Sequence, residues 1–151
     1  MSIAFKRVGY LDLNGRQKEN YNYHKISAIL AEYGFTTIRL SDDWEGADFI
    51  AKHIDGQYLL VQQKSRLAFA KKYEGKNLYI CCPRPEGGCY FYPHDELLKK
   101  ASDLTGMTSH ESWVVKGGYS FSWSWVKPEL KALFEEYKLE AQVTAPETHE
   151  I

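Results

Sequence analysis

The sequence predicts an α/β protein in which a central mixed β-sheet is flanked by helices. Two patterns carry this prediction. Residues 15–33 follow Asn14, which forms a capping-box pair with Gln17, and their apolar side chains recur every three or four positions, which is typical of an amphipathic helix. Residues 48–64 hold two apolar segments of strand length on either side of Asp55-Gly56, the dipeptide best suited to a tight hairpin turn.

Length and composition exclude several classes of protein. At 151 residues, we expect one domain over residues 1–140, followed by a disordered tail over residues 141–151. No apolar run approaches the roughly 20 residues that span a bilayer, and the N-terminus lacks the apolar core of a secretory signal. We therefore expect a cytoplasmic protein. Its three cysteines form no Cys-x-x-Cys pair, which favours buried free thiols over a zinc site.

Charge is distributed unevenly along the chain. Residues 1–76 carry 12 Lys and Arg against 9 Asp and Glu, whereas residues 77–151 carry 7 against 11. The positive excess is concentrated just after the predicted hairpin, at Arg66, Lys71, Lys72 and Lys76. A polyanion bound near the hairpin would suit this distribution, and so would an ordinary solvated surface.

The predicted first helix carries one stripe of side chains that we expect to face the core. Its members are Glu19, Tyr23, Ile26, Leu30 and Tyr33. The carboxylate of Glu19 has two interpretations. An acid in the first turn is favoured by the helix dipole, or the stripe reaches the edge of a functional site and Glu19 points into it.

The strongest functional signal lies at the open end of the predicted hairpin. Asp48 begins its first strand, and the second strand ends in Gln62-Gln63-Lys64, where Gln62 and Lys64 share one face because side chains alternate along a strand. We expect Asp48 to lie across from Lys64. Polar groups that end an apolar strand are costly unless they bind something. In the alternative interpretation, Asp48 caps a turn and Lys64 forms an ion pair with Asp48 or Glu19.

Further strands are predicted at residues 77–82 and 89–92, with helices at residues 96–104 and 128–139. Residues 113–116 and 119–125 read as a last hairpin, whose second strand places Tyr119, Phe121, Trp123 and Trp125 on one face. Such a face could stack on nucleic-acid bases, but it is more often the half-buried face of an edge strand.

Together these features resemble the PD-(D/E)xK nuclease superfamily, in its resolvase-like and restriction endonuclease-like members. The resemblance covers roughly Arg16 to Lys100 and implies a restriction endonuclease-like core of the order αβββαβ. Its motif positions are filled by Glu19, Gly46-Ala47-Asp48 and Gln62-Gln63-Lys64. This chain departs from the pattern at Ala47, where the family has Pro, and at Gln62, where an acid is usual, so it is a Q-x-K variant.

The resemblance implies a metal-dependent nuclease, and the residue types suit that chemistry. Asp48, the Gln62 amide oxygen, the Gln63 carbonyl and Glu19 would hold Mg²⁺ or Mn²⁺, while Lys64 would position or deprotonate water and stabilise the transition state. Four basic side chains, Arg66, Lys71, Lys72 and Lys76, are expected to contact phosphates.

The expected function is hydrolysis of phosphodiester bonds in nucleic acid, with DNA favoured over RNA. The alternative is a catalytically inactive nucleic-acid-binding or protein-interaction domain on the same fold. Cutting both strands of a duplex with one site per chain favours a two-fold dimer. The sequence shows no nucleophile motif around a serine or cysteine, which argues against a triad hydrolase.

Overall fold

The computed structural model describes residues 4–142. The helices are α1 (Gly15–Glu32), α2 (His94–Thr105) and α3 (Pro128–Glu135). The strands are β1 (Phe35–Trp44), β2 (Ala47–His53), β3 (Tyr58–Gln63), β4 (Leu67–Ala70), β5 (Leu78–Pro83), β6 (Cys89–Pro93), β7 (Gly118–Phe121) and β8 (Lys138–Leu139). Residues 143–151, most of the predicted disordered tail, lie outside the described residues, so that expectation stays a prediction.

Six strands form the central sheet in the order β1-β2-β3-β5-β6-β8. The pairing of β3 with β5 is parallel, and the other pairings are antiparallel. A second, two-stranded sheet joins β4 to β7. The α/β class with a central mixed sheet and flanking helices is therefore confirmed. Where the αβββαβ order has a helix between β3 and the next central strand, this chain has β4 and a short 3₁₀ turn, Lys71–Tyr73.

Helix α1 covers one face of the central sheet. The capping box between Asn14 and Gln17 opens it as predicted, with both hydrogen bonds at 2.9 Å. Its buried side chains are Ile26, Ile29 and Leu30, and they pack on Phe49 and Val61 of the sheet. Only part of the predicted stripe is buried, because the helix is rotated so that Ile29 replaces its outer members.

Helices α2 and α3 cover the opposite face. The core on this side includes Ile80 and Leu78 of β5, Leu97 of α2 and Phe134 of α3. Phe69 of β4 is also buried there, so the small β4–β7 sheet is packed against the central sheet. The adjacent Cys81 and Cys82 are free thiols buried in the two separate cores, as expected from their alternation along a strand.

The hairpin of β2 and β3 is formed as predicted, with a register shift relative to the expectation. His53 N–H donates to the Gln57 carbonyl at 2.8 Å, and Gly56 adopts a φ of 99° in the loop between them. Phe49 pairs with Val61, and continuing this register places Asp48 opposite Gln62. The prediction that Asp48 lies directly across from Lys64 was therefore wrong by two residues, which keeps all three side chains on one face.

The predicted last hairpin was wrong. Residues 112–116 form a π-helical segment, and β7 pairs with β4, a partner about 50 residues earlier, instead of with residues 113–116. Tyr119 and Phe121 pack against the core, whereas Trp125 is 87% exposed. The four aromatic residues of 119–125 therefore do not share one strand face, since β7 ends at Phe121 and a 3₁₀ turn follows. Within residues 4–142, none of the helices is both long and apolar enough for a transmembrane segment.

Candidate active site

The open end of the β2–β3 hairpin forms one wall of a cleft of about 850 Å³. The cleft is lined by five basic residues, Arg16, Arg39, Lys64, Lys72 and Lys76. Four acidic residues, Glu19, Asp42, Asp43 and Asp48, also line it, together with Gln62. The structure thus brings Glu19, Asp48, Gln62 and Lys64 together in one polar cleft.

Asp48 is half-buried and held in place by the backbone of the neighbouring strand. Its Oδ2 accepts a hydrogen bond of 2.8 Å from the Gln63 N–H, and its Oδ1 accepts none from residues 4–142. Burial raises the pKa of Asp48, and the nearby Glu19 carboxylate raises it further, against the opposing effects of the Gln63 N–H, Lys64 and Arg39. The surroundings thus destabilise the ionised form of this carboxyl group, and a bound cation would stabilise it.

The two glutamines after Val61 point in different directions. Gln62 donates from Nε2 to the Gln63 carbonyl at 3.1 Å, which leaves its Oε1 without a donor among residues 4–142. The Gln63 side chain instead donates to the Glu19 carbonyl at 3.2 Å, on the α1 side of the sheet. Because its carbonyl already accepts the Gln62 amide, at most one of its two lone pairs remains for the expected metal.

The ammonium group of Lys64 lies 5.4 Å from the centre of the Tyr73 ring, and that of Lys72 lies 5.2 Å from the same centre. Tyr73 is almost fully buried, so the ring is a fixed support for both cations. Lys64 forms no ion pair within 4.0 Å in the part of the chain that the structure describes, so the proposed pairing with Asp48 or Glu19 is not formed.

Gly46 leaves room for the Tyr73 ring beside Lys64 and Lys72. Its backbone has a φ of 89°, and a Cβ at this position would lie 3.2 Å from the Tyr73 ring and from the Leu78 side chain. Glycine adopts such a φ without steric cost. The same residue is held in its turn by the Asp43 side chain, which accepts its N–H at 2.8 Å. Asp43 therefore has a structural role in the cleft wall.

Glu19 reaches the cleft from α1 but is not held rigidly in it. Its side chain is 63% exposed, and Oε1 lies 3.5 Å from Nη2 of Arg39. Arg39 also donates to the Asn20 side chain at 2.6 Å and lies 4.8 Å from the centre of the Tyr23 ring. The expectation that Glu19 faces the core was wrong, because its side chain lies at the surface, where it lines the cleft and pairs with Arg39.

Arg39 and Tyr73 were both missed by sequence reasoning. Arg39 shares the face of β1 that carries Thr37, whose hydroxyl contacts Tyr23 and Ser27 of α1. That strand alternation was a usable signal for Arg39. Nothing in the local sequence of Tyr73 indicated that its ring would lie under Lys64.

The predicted phosphate-contacting residues are divided between three surfaces. Lys72 and Lys76 line the cleft. Lys71 lines an adjoining depression, where its ammonium group donates to the Val114 carbonyl at 3.3 Å. Arg66 lines a separate cavity. Of the four, only Lys72 and Lys76 therefore line the same cleft as Asp48 and Gln62.

The cleft offers a divalent cation only a few protein donors. No three His, Cys, Asp or Glu side chains within residues 4–142 lie close enough together to hold a metal ion. Mg²⁺, however, usually keeps several of its waters and takes only one or two carboxylates from a protein. Asp48 Oδ1 and Gln62 Oε1 are oxygen atoms free to bind, so the residues fit a weakly held, largely hydrated cation.

Comparisons with known proteins give little beyond this geometry. No protein-family model matches the chain, and no curated protein matches it. Among solved structures, the chain is similar to Hjc, a Holliday junction resolvase from the hyperthermophilic archaeon Archaeoglobus fulgidus. The two share 14% sequence identity at a TM-score of 0.44, and the match covers 83% of this chain and 90% of that one. A likeness at this level says nothing of function.

Proposed function

We propose that this protein is a metal-dependent endonuclease that hydrolyses phosphodiester bonds in nucleic acid, with DNA favoured over RNA. One observation carries the proposal. Asp48, Gln62 and Lys64 lie on one face at the end of a hairpin, in a cleft whose walls add Arg16, Lys72 and Lys76. Oxygen ligands beside a supported ammonium group, in a cleft lined by five basic and four acidic side chains, suit a cation together with a polyanion that carries a scissile phosphate.

Each side chain has a distinct role in this proposal. Asp48 and Gln62 would hold a divalent cation, which when bound neutralises charge on the phosphate and lowers the pKa of an attacking water. Lys64, supported by the Tyr73 ring, would orient water or stabilise the negative charge that develops in the transition state. The backbone N–H of Gln63 holds Asp48 in place, and the Glu19 carboxylate adds negative charge beside it that favours a bound cation. Lys72 and Lys76 would hold the phosphates that flank the cleavage site.

A second function, nucleic-acid binding without catalysis, is favoured by the neutral Gln62. An amide in place of a carboxylate removes one negative charge from the donor set, and half-buried Asp48 is then its one carboxylate beside Gln62. Such a protein would keep the basic walls and lose metal affinity. The two functions differ in whether any bond is cut.

The deciding experiment is a cleavage assay with the wild-type protein. Supercoiled plasmid, linear duplex, branched DNA and single-stranded RNA are incubated with Mg²⁺ or Mn²⁺, with Ca²⁺ and a chelator as controls. Metal-dependent nicking of at least one substrate is expected. If every substrate is bound but none is cut, the binding function replaces the enzymatic one.

Gln62→Glu is expected to tighten Mn²⁺ binding by at least about tenfold, because a carboxylate replaces a neutral donor beside Asp48. The cleavage rate need not rise, since an extra charge also repels the phosphate. Calorimetric titration of Mn²⁺ into wild type and variant measures the effect. Gln57→Glu, in the exposed hairpin loop, adds the same charge away from the cleft and is the matched control. Equal affinities for wild type and Gln62→Glu would remove Gln62 from the metal site.

Lys72→Ala and Lys76→Ala are each expected to weaken binding evenly across nucleic-acid sequences. Each change should flatten the dependence of log affinity on log salt by about one unit, because one phosphate contact is lost. Fluorescence anisotropy over a series of salt concentrations gives the slopes. Lys99→Ala is the control, since Lys99 is exposed on α2 beside the acidic Asp95 and Asp103. Unchanged slopes for both cleft lysines would exclude them from the interface.

A further inference from the structure

A second cavity, of about 250 Å³, is lined in part by the residues that directly follow the cleft in the sequence. Lys64 lines the cleft, and the residues that follow it, Ser65 to Leu67, line this cavity. Two residues of extended chain span at most about 7 Å, so Arg66 at the cavity lies close to Lys64. Its other walls are largely apolar and aromatic, formed by Cys82, Tyr90, Phe121 and Trp123.

Arg84 lines this cavity with a guanidinium group whose hydrogen-bonding capacity is only partly used. Its side chain is only 15% exposed, and within residues 4–142 its Nε is the one buried side-chain nitrogen or oxygen without a hydrogen-bond partner. The nearest acid, Glu86, lies 3.8 Å from Nη2, beyond hydrogen-bond length, and is itself mostly exposed. A guanidinium group stays charged and cannot escape this burial by losing a proton. Residues 4–142 offer its Nε no acceptor, although the Glu86 and Glu135 carboxylates lie near enough to balance part of the charge, so the group can take a further acceptor from beyond these residues.

The surroundings of Arg84 limit what that acceptor can be. Its guanidinium lies 5.3 Å from the centre of the Tyr90 ring, and the Tyr90 and Trp123 rings lie 5.3 Å apart with an angle of 31° between them. These flat groups, with Leu67 and Phe121, favour a flat and partly apolar ligand. Inorganic phosphate would satisfy Arg84 but leave the apolar walls uncovered. A nucleobase offers both a π-face and acceptor atoms on its edge.

We propose that this cavity receives one unpaired nucleobase of the nucleic acid whose backbone crosses the cleft. The proposal rests on the proposed function only in that the partner is nucleic acid. Arg84 donates to an acceptor on the base edge, and the aromatic walls cover its face. The cavity lies beside Lys64, so the base belongs to a nucleotide close to the cleavage site. The preferred substrate then carries an unpaired base there, in a single strand, loop or branch, because such a base need not be pulled out of a duplex.

Binding to matched oligonucleotides tests this directly. A fluorescein-labelled single strand of 12 thymidines is compared with a 12-residue abasic strand that carries the same phosphates, both in chelator so that no cleavage occurs. Wild type is expected to bind the thymidine strand at least tenfold more tightly than the abasic strand. Arg84→Lys keeps the charge but loses Nε and the planar group. In this variant the ratio of the two affinities should fall to about one, with unchanged affinity for the abasic strand. Arg7→Lys, an exposed arginine outside both cavities, should keep the wild-type ratio.

Three results separate this proposal from the proposed function. A ratio near one in wild type, or the same ratio in wild type and Arg84→Lys, overturns the base site even if the protein cuts DNA. A ratio that depends on Arg84 supports the base site even if no substrate is cut. Failure to bind either strand overturns both the base site and the nucleic-acid partner.

A cross-linking measurement keeps the test independent of how Arg84→Lys folds. A 12-residue strand of 4-thiothymidine is irradiated with the wild-type protein, and the modified peptides are identified by mass spectrometry. Adducts at Tyr90, Phe121 or Trp123 are expected. Adducts found solely on residues of the cleft, such as Tyr73, would overturn the assignment.

Discussion

Asp48→Asn is expected to lower the rate of nucleic-acid cleavage by at least about a hundredfold while leaving the chain at least as stable as wild type. The rate falls because the half-buried carboxylate of the cleft loses its charge, and a bound cation contributes several kcal/mol to such reactions. The fold persists because the Asn Oδ1 can still accept the hydrogen bond from the Gln63 N–H. Initial rates in saturating Mn²⁺ and thermal unfolding measure the two effects.

The stability of Asp48→Asn relative to wild type should change with pH in a definite direction. Burial and Glu19 raise the pKa of Asp48 in the folded chain. The carboxyl group therefore contributes stability below its ordinary pKa, and that contribution is lost as the pH rises through the raised value. At neutral pH the ionised Asp48 carries a cost that the Asn variant lacks. The melting temperature of Asp48→Asn relative to wild type should thus be higher at pH 7 than at pH 4.

The matched control is Asp42→Asn, which removes an exposed carboxylate from the same cleft. Its cleavage rate and its stability should stay close to those of wild type, because exposed charges contribute little. A wild-type rate in Asp48→Asn would refute the assignment of Asp48. An equal loss in both variants would mean that the overall charge of the cleft decides the rate.

The hairpin part of the site could be predicted because it depends on local sequence. A turn dipeptide between two apolar segments sets which residues pair, and the alternation of side chains then places Gln62 and Lys64 on one face. A two-residue turn at Asp55-Gly56 would pair Asp48 with Gln63, but His53 pairs with Gln57, so Ile54 joins the loop and Asp48 comes opposite Gln62. This three-residue loop places Asp48 on the face that carries Gln62 and Lys64, so the three polar side chains converge.

The rest of the site depends on contacts between distant segments and could not be predicted in this way. The rotation of α1 is set by Ile26, Ile29 and Leu30 packing on the sheet, and it moves Glu19 to the surface. The adjacent lysines Lys71 and Lys72 lie in a 3₁₀ turn and contact different groups, the Val114 carbonyl and the Tyr73 ring. A charge count along the chain treats them as one patch.

Phe69→Ala is expected to lower the free energy of unfolding by about 3–5 kcal/mol, the usual cost of removing a buried phenylalanine. Phe69 is 1% exposed, and its ring lies within 6 Å, centre to centre, of four other rings. They belong to Tyr92, His94, Phe121 and Phe134. The cavity left behind cannot collapse easily, because these rings come from four different elements.

The same substitution tests how the small β4–β7 sheet supports the site. Beside Phe69, the Tyr92 hydroxyl donates to the Ala68 carbonyl at 2.9 Å, and the Ala70 N–H donates to His94 Nε2 at 3.0 Å. Lys72 and Tyr73 follow β4 directly, so a loosened β4 should also weaken nucleic-acid binding. Urea unfolding of Phe69→Ala is compared with that of Ile54→Ala. The Ile54 side chain is 87% exposed in the hairpin loop, so its removal should change the free energy of unfolding by less than about 0.5 kcal/mol. A loss below about 1 kcal/mol in Phe69→Ala would show that this core relaxes around the cavity, and that β4 is held by its hydrogen bonds alone.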